Sequence, residues 1–366
     1  MNGRPLVSVV LPCFNAERFL HEALKSVLRQ TYRDLEVVAL DDGSRDATAR
    51  ILERHAAQDA RVRIMANDNN LGLIPTLNRG VAEARGDFIA RMDADDVAAP
   101  ARIERQVQTL TVRHEIGVLG AGIELVDQAG RRSRRQAPVR CREPGAARFM
   151  ALFATPVAHV TTLARASVMR AHPYGTSPDS LHTEDYDLFT RMLADGVEFL
   201  NLDEHLVTVR VNDGSVSRRH EALQVANFVA CARRHLERTL GLQPDPSAHK
   251  VLVNRMDDAI SAHDLEAGLR CLDRVEEMFL SREPGATREV VGIADEQRVD
   301  VLVQAALKGS PRVRLAAGRL AGHYGRRLRS RRARRYLAGK LGRSMPSRFR
   351  PRRPRVHART PRAPRT

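Results

Sequence analysis

NNLGLIPTLNRGVAEARGDFIARMDADD, residues 69–96, decides the reading of this chain. A Gly-containing turn gives way to a helical spacing of apolar residues from Leu73 to about Arg85. A compact apolar run, Asp87 to Met92, follows at the length of a buried strand, and it empties into Asp93-Ala94-Asp95-Asp96. Pro100 then sits where a further helix, to about Arg113, can begin. An acidic triplet between a buried strand and a helix start is a loop at the carboxyl end of a sheet, where open α/β folds place their ligands.

The same alternation extends upstream. LVSVVLP (Leu6 to Pro12) and LEVVAL (Leu35 to Leu40) are continuous β-branched runs of the kind buried in a parallel sheet, and Arg61 to Ala66 is a third strand. Between them lie helical segments from Ala16 to about Gln30, with Asn15 as its cap, and from Ala47 to about Gln58, capped by Ser44 or Asp46. Repeated β-α-β units imply right-handed crossovers and a doubly wound sheet. Three polar clusters then fall at strand ends: Pro12 to Asn15, Asp41 to Ser44, and Asp93 to Asp96.

Downstream, Ile116 to about Val139 is strand-like, with a hairpin expected around Gln128-Ala129-Gly130, and a mixed segment runs to about Ser217. Beyond His220, helical periodicity covers Ala222–Thr239, His249–His263, Leu265–Leu280 and Val290–Leu307. The expected organisation is a catalytic domain over 1–217, a helical region over 218–325 and a basic tail over 326–366. That tail is expected to be disordered where Arg and Pro dominate from Ser344 onward.

Composition narrows the classes. The 366 residues are 43% hydrophobic and 28% charged, the balance of a globular protein. No run of about 18 apolar residues is present, so no spanning helix is expected, and the amino-terminal run reads as a first strand, not a signal peptide. The four cysteines are widely spaced and fit reduced thiols in a cytosolic setting. The net charge of +16 is local: residues 326–366 hold 17 of the 60 basic residues and no acid, leaving 43 basic against 44 acidic elsewhere. Nucleic-acid binding by that tail would need no sequence preference, and no recognition module accompanies it.

Taken singly, the polar motifs have ordinary readings. Asp93-x-Asp95-Asp96 fits a solvated or helix-capping cluster, Asp41-Asp42-Gly43-Ser44 a turn with a cap, and Glu184-Asp185 two acids favoured by the dipole of the helix they open. In order and together they resemble the family 2 glycosyltransferases of GT-A fold. The residues that carry the likeness are 7–32, 35–48, 69–96 and HTEDYDLFTRML (182–193), within a span of roughly 5–217.

That resemblance implies a bacterial-type, non-processive enzyme that transfers one sugar from a nucleoside-diphosphate sugar, a UDP-sugar first, with inversion. Pro12, Asn15 and Glu17 match the first loop at the nucleotide, Asp42 the contact to the base and Asp93 the residue facing the ribose. Asp95 matches the ligand of Mg2+ or Mn2+, and Asp185 the general base, with Glu184 beside it. His159 matches a histidine near the diphosphate or acceptor, and equally fits a core histidine. Where relatives often carry Tyr-Arg-x-His, this chain reads Val209-Arg210-Val211-Asn212, and Asn cannot become cationic. Processive relatives carry QxxRW, which a chain without Trp cannot contain. The implied setting is polysaccharide, cell-wall or glycolipid synthesis in the cytoplasm. The implied acceptor is a hydroxyl, lipid-linked in many relatives. Arg326 to Arg343 interleaves Arg with Leu328, Tyr336, Leu337 and Leu341, a pattern that fits a helix on an anionic inner membrane face and equally fits a solvated tail in an Arg-heavy protein. The competing class is a catalytically silent relative used for binding or assembly. Nucleotidyl transfer would need a Gly-rich basic loop that Pro12 to Arg18 does not supply.

Overall fold

The structure is a computed structural model that describes residues 4–133, 139–211 and 220–328, with Arg334, Tyr336 and Leu337. Strands β1 (Val7–Cys13), β2 (Leu35–Asp41), β3 (Val62–Ala66) and β4 (Phe88–Arg91) form the parallel half of the sheet, with helices α1 (Leu20–Leu28), α2 (Thr48–Gln58) and α3 (Leu73–Glu83) as crossovers. These are the runs expected from sequence, and every residue of β2 is buried. The second half comprises β5 (Val97–Ala98), β6 (Ile116–Val126), β7 (Leu163–Arg165) and β8 (Glu198–Arg210), with α4 (Arg102–Val112), α5 (Pro144–Met150), α6 (Ala166–Ala171) and α7 (Glu184–Ala194) packed around it. Among the described residues the order is β3-β2-β1-β4-β7-β6-β8-β5. The sheet is mixed, because β7 runs antiparallel to both β4 and β6, while β6 and β8 are parallel. This is the α/β, doubly wound GT-A fold followed by helices.

Apolar side chains fill both faces of the sheet. One layer packs Leu20, Leu24 and Leu52 from α1 and α2, and Ile103 and Val107 from α4, against Val7, Val9 and Val37. On the other face, Val10, Val38 and Leu40 meet Ile74 and Leu77 of α3. That second layer continues without a break through Phe149, Tyr186 and Phe189 into the carboxyl-terminal helices. These are α8 (Glu221–Leu240), α9 (Pro246–Leu252), α10 (Ala262–Arg282), α11 (Thr287–Lys308), α12 (Pro311–His323) and α13 (Gly325–Leu328). Phe149 lies 5.2 Å from Phe279 of α10, centroid to centroid, and Tyr186 stacks on Phe228 of α8 at 4.3 Å.

The bounds of two expected helices need correction. Helix α1 starts at Leu20, not Ala16, and Asn15 does not cap it. Asn15 has φ +47° and its Oδ1 accepts from the Arg45 backbone N–H at 2.9 Å, so residues 16–19 form a turn instead. The helix expected over 249–263 stops at Leu252, where Asn254 turns left-handed at φ +55°. Ser261 and Asp264 form a capping box that starts α10 at Ala262. Helix α12 falls inside the helical region expected over 218–325, although no separate run is read there, since its Arg and Gly content dilutes the apolar period. The turn expected near Gly130 is present: among the described residues the returning arm bridges Val126 to Arg132 and the Ser133 N–H donates to the Leu125 carbonyl at 2.7 Å, while residues 134–138 lie outside them. Asn212 and the tail from Ala338 lie outside the described residues.

Candidate active site

The first loop is latched to the start of α2. The Asn15 N–H donates to Ser44 Oγ at 2.9 Å, Ala16 N–H to Thr48 Oγ1 at 2.8 Å and Glu17 N–H to Asp46 Oδ2 at 3.0 Å. Glu17 Oε2 in turn accepts from the Ala47 N–H at 2.9 Å, and Asp46 Oδ1 from Thr48 N–H at 2.9 Å. These bonds satisfy the open N–H groups of a helix start with carboxylates, which the helix dipole favours. Pro12 ends this edge as a half-buried member of β1.

Asp42 is buried, with 4% of its surface exposed. Its Oδ1 accepts from Asn67 Nδ2 at 2.8 Å and Leu71 N–H at 2.9 Å, and its Oδ2 from Gly72 N–H at 2.9 Å. The side chain thus clamps the 69–72 loop. Gly43, at φ +70°, lies so close to that loop that a Cβ would come 2.7 Å from the Asn69 carbonyl carbon.

Asp93, Asp95 and Asp96 converge at the end of β4, with carboxylate oxygens within 4.8 Å of one another. Arg91 forms an ion pair with Asp93, and the Arg210 backbone N–H donates to Asp96 Oδ1 at 2.9 Å. Arg210 also donates through Nε to the Asp95 carbonyl at 3.2 Å, pairs with Glu22 at 2.9 Å, and stacks 4.2 Å above Phe19. Burial, then the charges of Asp93 and Asp95, push the Asp96 carboxyl up. Burial, then Asp93, does the same to Asp95. Three crowded hard-oxygen donors, two of them (Asp95 and Asp96) held above their ordinary range, are a donor set suited to a small divalent cation.

Glu184 and Asp185 open α7, and Asp185 Oδ1 accepts from the Tyr186 N–H at 2.7 Å. Burial raises Asp185, opposed by that bond and by the Arg91 charge. Burial and the Asp185 charge push Glu184 up to about 7. Both groups feel Arg91 and Asp93, so the end of β4 and the start of α7 face a common space. His159 Nε2 hydrogen-bonds to Tyr174 Oη at 2.8 Å, and burial plus the Arg91 charge drives its pKa well down, leaving it neutral. Arg91 and Tyr174 are the members that sequence reading passes over. The one available signal was an Arg closing the otherwise apolar strand β4, two residues before Asp93. Nothing in the sequence joins Tyr174 to this place.

Acidic donors at strand ends thus face a second acid pair on a helix start across the sheet. The sequence profile of glycosyl transferase family 2 matches residues 8–169. The glycosyltransferase EpsE of Bacillus subtilis is 36% identical over 242 residues, covering 64% of this chain and 85% of that protein. An uncharacterized glycosyltransferase of Haemophilus influenzae is 32% identical over 240 residues, 63% of this chain and 73% of its own. The chain belongs to glycosyl transferase family 2. Two solved structures share the fold. The mannosyltransferase PcManGT from Pyrobaculum calidifontis, in complex with GDP-Man and Mn2+, has a TM-score of 0.51 at 18% identity, over 93% of this chain and 87% of that one. S. aureus TarS 1-349, in complex with UDP-GlcNAc, has a TM-score of 0.50 at 16% identity, over 92% and 91%.

Proposed function

We propose that this glycosyltransferase moves one sugar, with inversion, from a nucleoside-diphosphate sugar to a hydroxyl acceptor during polysaccharide, cell-wall or glycolipid synthesis. The observation that carries the reading is the convergence of Asp93, Asp95 and Asp96 with Arg91, Glu184 and Asp185. A UDP-sugar is the first donor to test. TarS with UDP-GlcNAc and PcManGT with GDP-Man and Mn2+ are examples of this fold holding such donors.

In this reading Asp95, with Asp93 and Asp96 beside it, holds Mg2+ or Mn2+, which when bound supplies positive charge to the leaving diphosphate. Pro12, Asn15 and Glu17 form one wall of the nucleotide site, whose shape depends on their bonds to residues 44–48. Asp42 borders the base and fixes the loop opposite it. Asp93 meets the ribose. Asp185 takes the acceptor hydroxyl proton at a carboxylate whose raised pKa suits a base at neutral pH, and Glu184 orients the acceptor. Neutral His159 offers a hydrogen bond near the acceptor, with Tyr174 fixing its ring.

No helix among the described residues is long and apolar enough to cross a membrane. The basic tail is proposed to rest on an anionic membrane surface at the cytoplasmic face, where a lipid-linked acceptor is reached. The decisive experiment is melting of the full chain with a panel of nucleoside diphosphates, with and without Mn2+. A Mn2+-dependent rise with one nucleotide is expected, and Asp95→Ala should abolish it. No rise with any nucleotide refutes donor binding and leaves an inactive binding protein. Asp185→Asn keeps the Oδ1 acceptor for Tyr186, so it should fold and bind donor while turnover drops at least 100-fold.

A further inference from the structure

The acidic residues of this chain end at Asp300. Residues 301–366 contain 21 Lys and Arg and no Asp or Glu. Part of that stretch is folded: the end of α11, all of α12 and the short α13. On α12, Val313, Ala316 and Ala317 face inward and are buried. The opposite side carries Arg312, Leu315 and Arg319, spaced i, i+3, i+7 and therefore on one face. Leu315 is 68% exposed, and Leu307, at the end of α11 just before it, is 50% exposed beside exposed Lys308. Among the described residues, Lys308, Arg312 and Arg319 make no hydrogen bond or ion pair through their side chains. Arg314 alone folds back, donating to the Gly309 carbonyl at 2.8 Å.

Two exposed leucines set among cations with no ion pair, and with no acid in the same stretch, have a specific physical meaning. Apolar side chains on a cationic helix face lower their free energy when inserted at the boundary of headgroups and acyl chains, while the arginines reach anionic headgroups. A nucleic-acid surface would use the cations and leave Leu307 and Leu315 without a role.

We propose that the outer face of α12, with the end of α11, is a docking surface for an anionic lipid bilayer. The folded helical region, and not the tail alone, then sets how the enzyme sits on the surface. The proposal deepens the reading of a tail resting on a membrane and shares only its partner with it. It does not depend on glycosyl transfer.

The test uses the full chain with two vesicle types, phosphatidylcholine alone and phosphatidylcholine with 30–40% phosphatidylglycerol (about one lipid in three anionic), read by co-sedimentation. Salt-sensitive binding to the anionic vesicles only is expected. Arg312→Gln with Arg319→Gln should weaken it by roughly 25-fold, at about fivefold per charge removed. Leu307→Ser with Leu315→Ser should weaken it in a way that added salt does not mimic, and neither pair should move the melting temperature, since all four residues face solvent. A third variant replaces Arg350, Arg352, Arg353 and Arg355 with Gln in the otherwise intact chain. Loss of binding in that variant, with both helix-face pairs binding like wild type, overturns the proposal and leaves the tail reading standing. Failure of every form to bind overturns both. Equal displacement by RNA in wild type and in the leucine pair overturns the bilayer in favour of a polyanion.

Discussion

Replacing Asp42 separates a residue that shapes the site from one that merely lines it. The carboxylate is buried and takes three hydrogen bonds, two of them from the backbone of Leu71 and Gly72. Asp42→Asn keeps an acceptor for Asn67 and Leu71 but turns an N–H toward the N–H of Gly72. One charge-assisted bond is worth about 1.5–3 kcal/mol, so this variant should lose about 2–3 kcal/mol. Asp42→Ala removes all three bonds and leaves the loop N–H groups to find water, so about 4–5 kcal/mol is expected. Equilibrium urea unfolding, with an unchanged slope, reads both values directly. In parallel, nucleotide affinity should fall in both variants, because the 69–72 loop is released. If both variants matched wild type within about 0.5 kcal/mol while nucleotide binding alone weakened, the clamp would be irrelevant to folding and the reasoning refuted.

Gly43→Ala forces a side chain onto φ +70° and against the Asn69 backbone at 2.7 Å, so a loss of about 2 kcal/mol or more is expected in the same assay. Arg298 is fully buried among Asp273, Glu276 and Asp295. Arg298→Met strands those carboxylates and should cost about 3–5 kcal/mol, a value near zero showing that they protonate freely. Glu184, held up to about 7, stays protonated in the folded state across a range where the unfolded chain ionises it. Its burial therefore erodes stability as pH rises from about 4.5 to 7, so the advantage of Glu184→Gln over wild type should grow through that window and then level off. A difference independent of pH would remove the assigned shift.

The parallel half of the fold was legible because β1, β2 and β4 are predominantly apolar runs leading into polar clusters, a pattern set by burial on both faces. What was not legible depends on distant partners. Strand β7 has three residues, too few for any periodicity, and it exists because β4 and β6 flank it. The break after Leu252 was hidden because apolar spacing carries on through it, although Ser261-x-x-Asp264 was a readable start signal. At the site, the acids could be named from their order along the chain. Their cationic counterpart Arg91 and the Tyr174–His159 contact could not, since an arginine in a buried strand declares its purpose only when its neighbours are known. Asp42 shows the reverse difficulty, because a motif residue can be named without revealing that its carboxylate is engaged by a loop nearly thirty residues away.

The apolar layer running from Val38 through Phe149 to Phe279 and Ile293 also bears on how this protein can be taken apart. A fragment ending near residue 217 would keep the whole sheet yet open Phe149 and Tyr186 to water, so it should be recovered as an aggregate or bound to a chaperone. The smallest unit that could be exchanged with a relative to build a chimaera is therefore the sheet with its own α8 to α11. Transplanting the front half alone onto foreign helices would succeed only where their aromatic side chains reproduce the same relief.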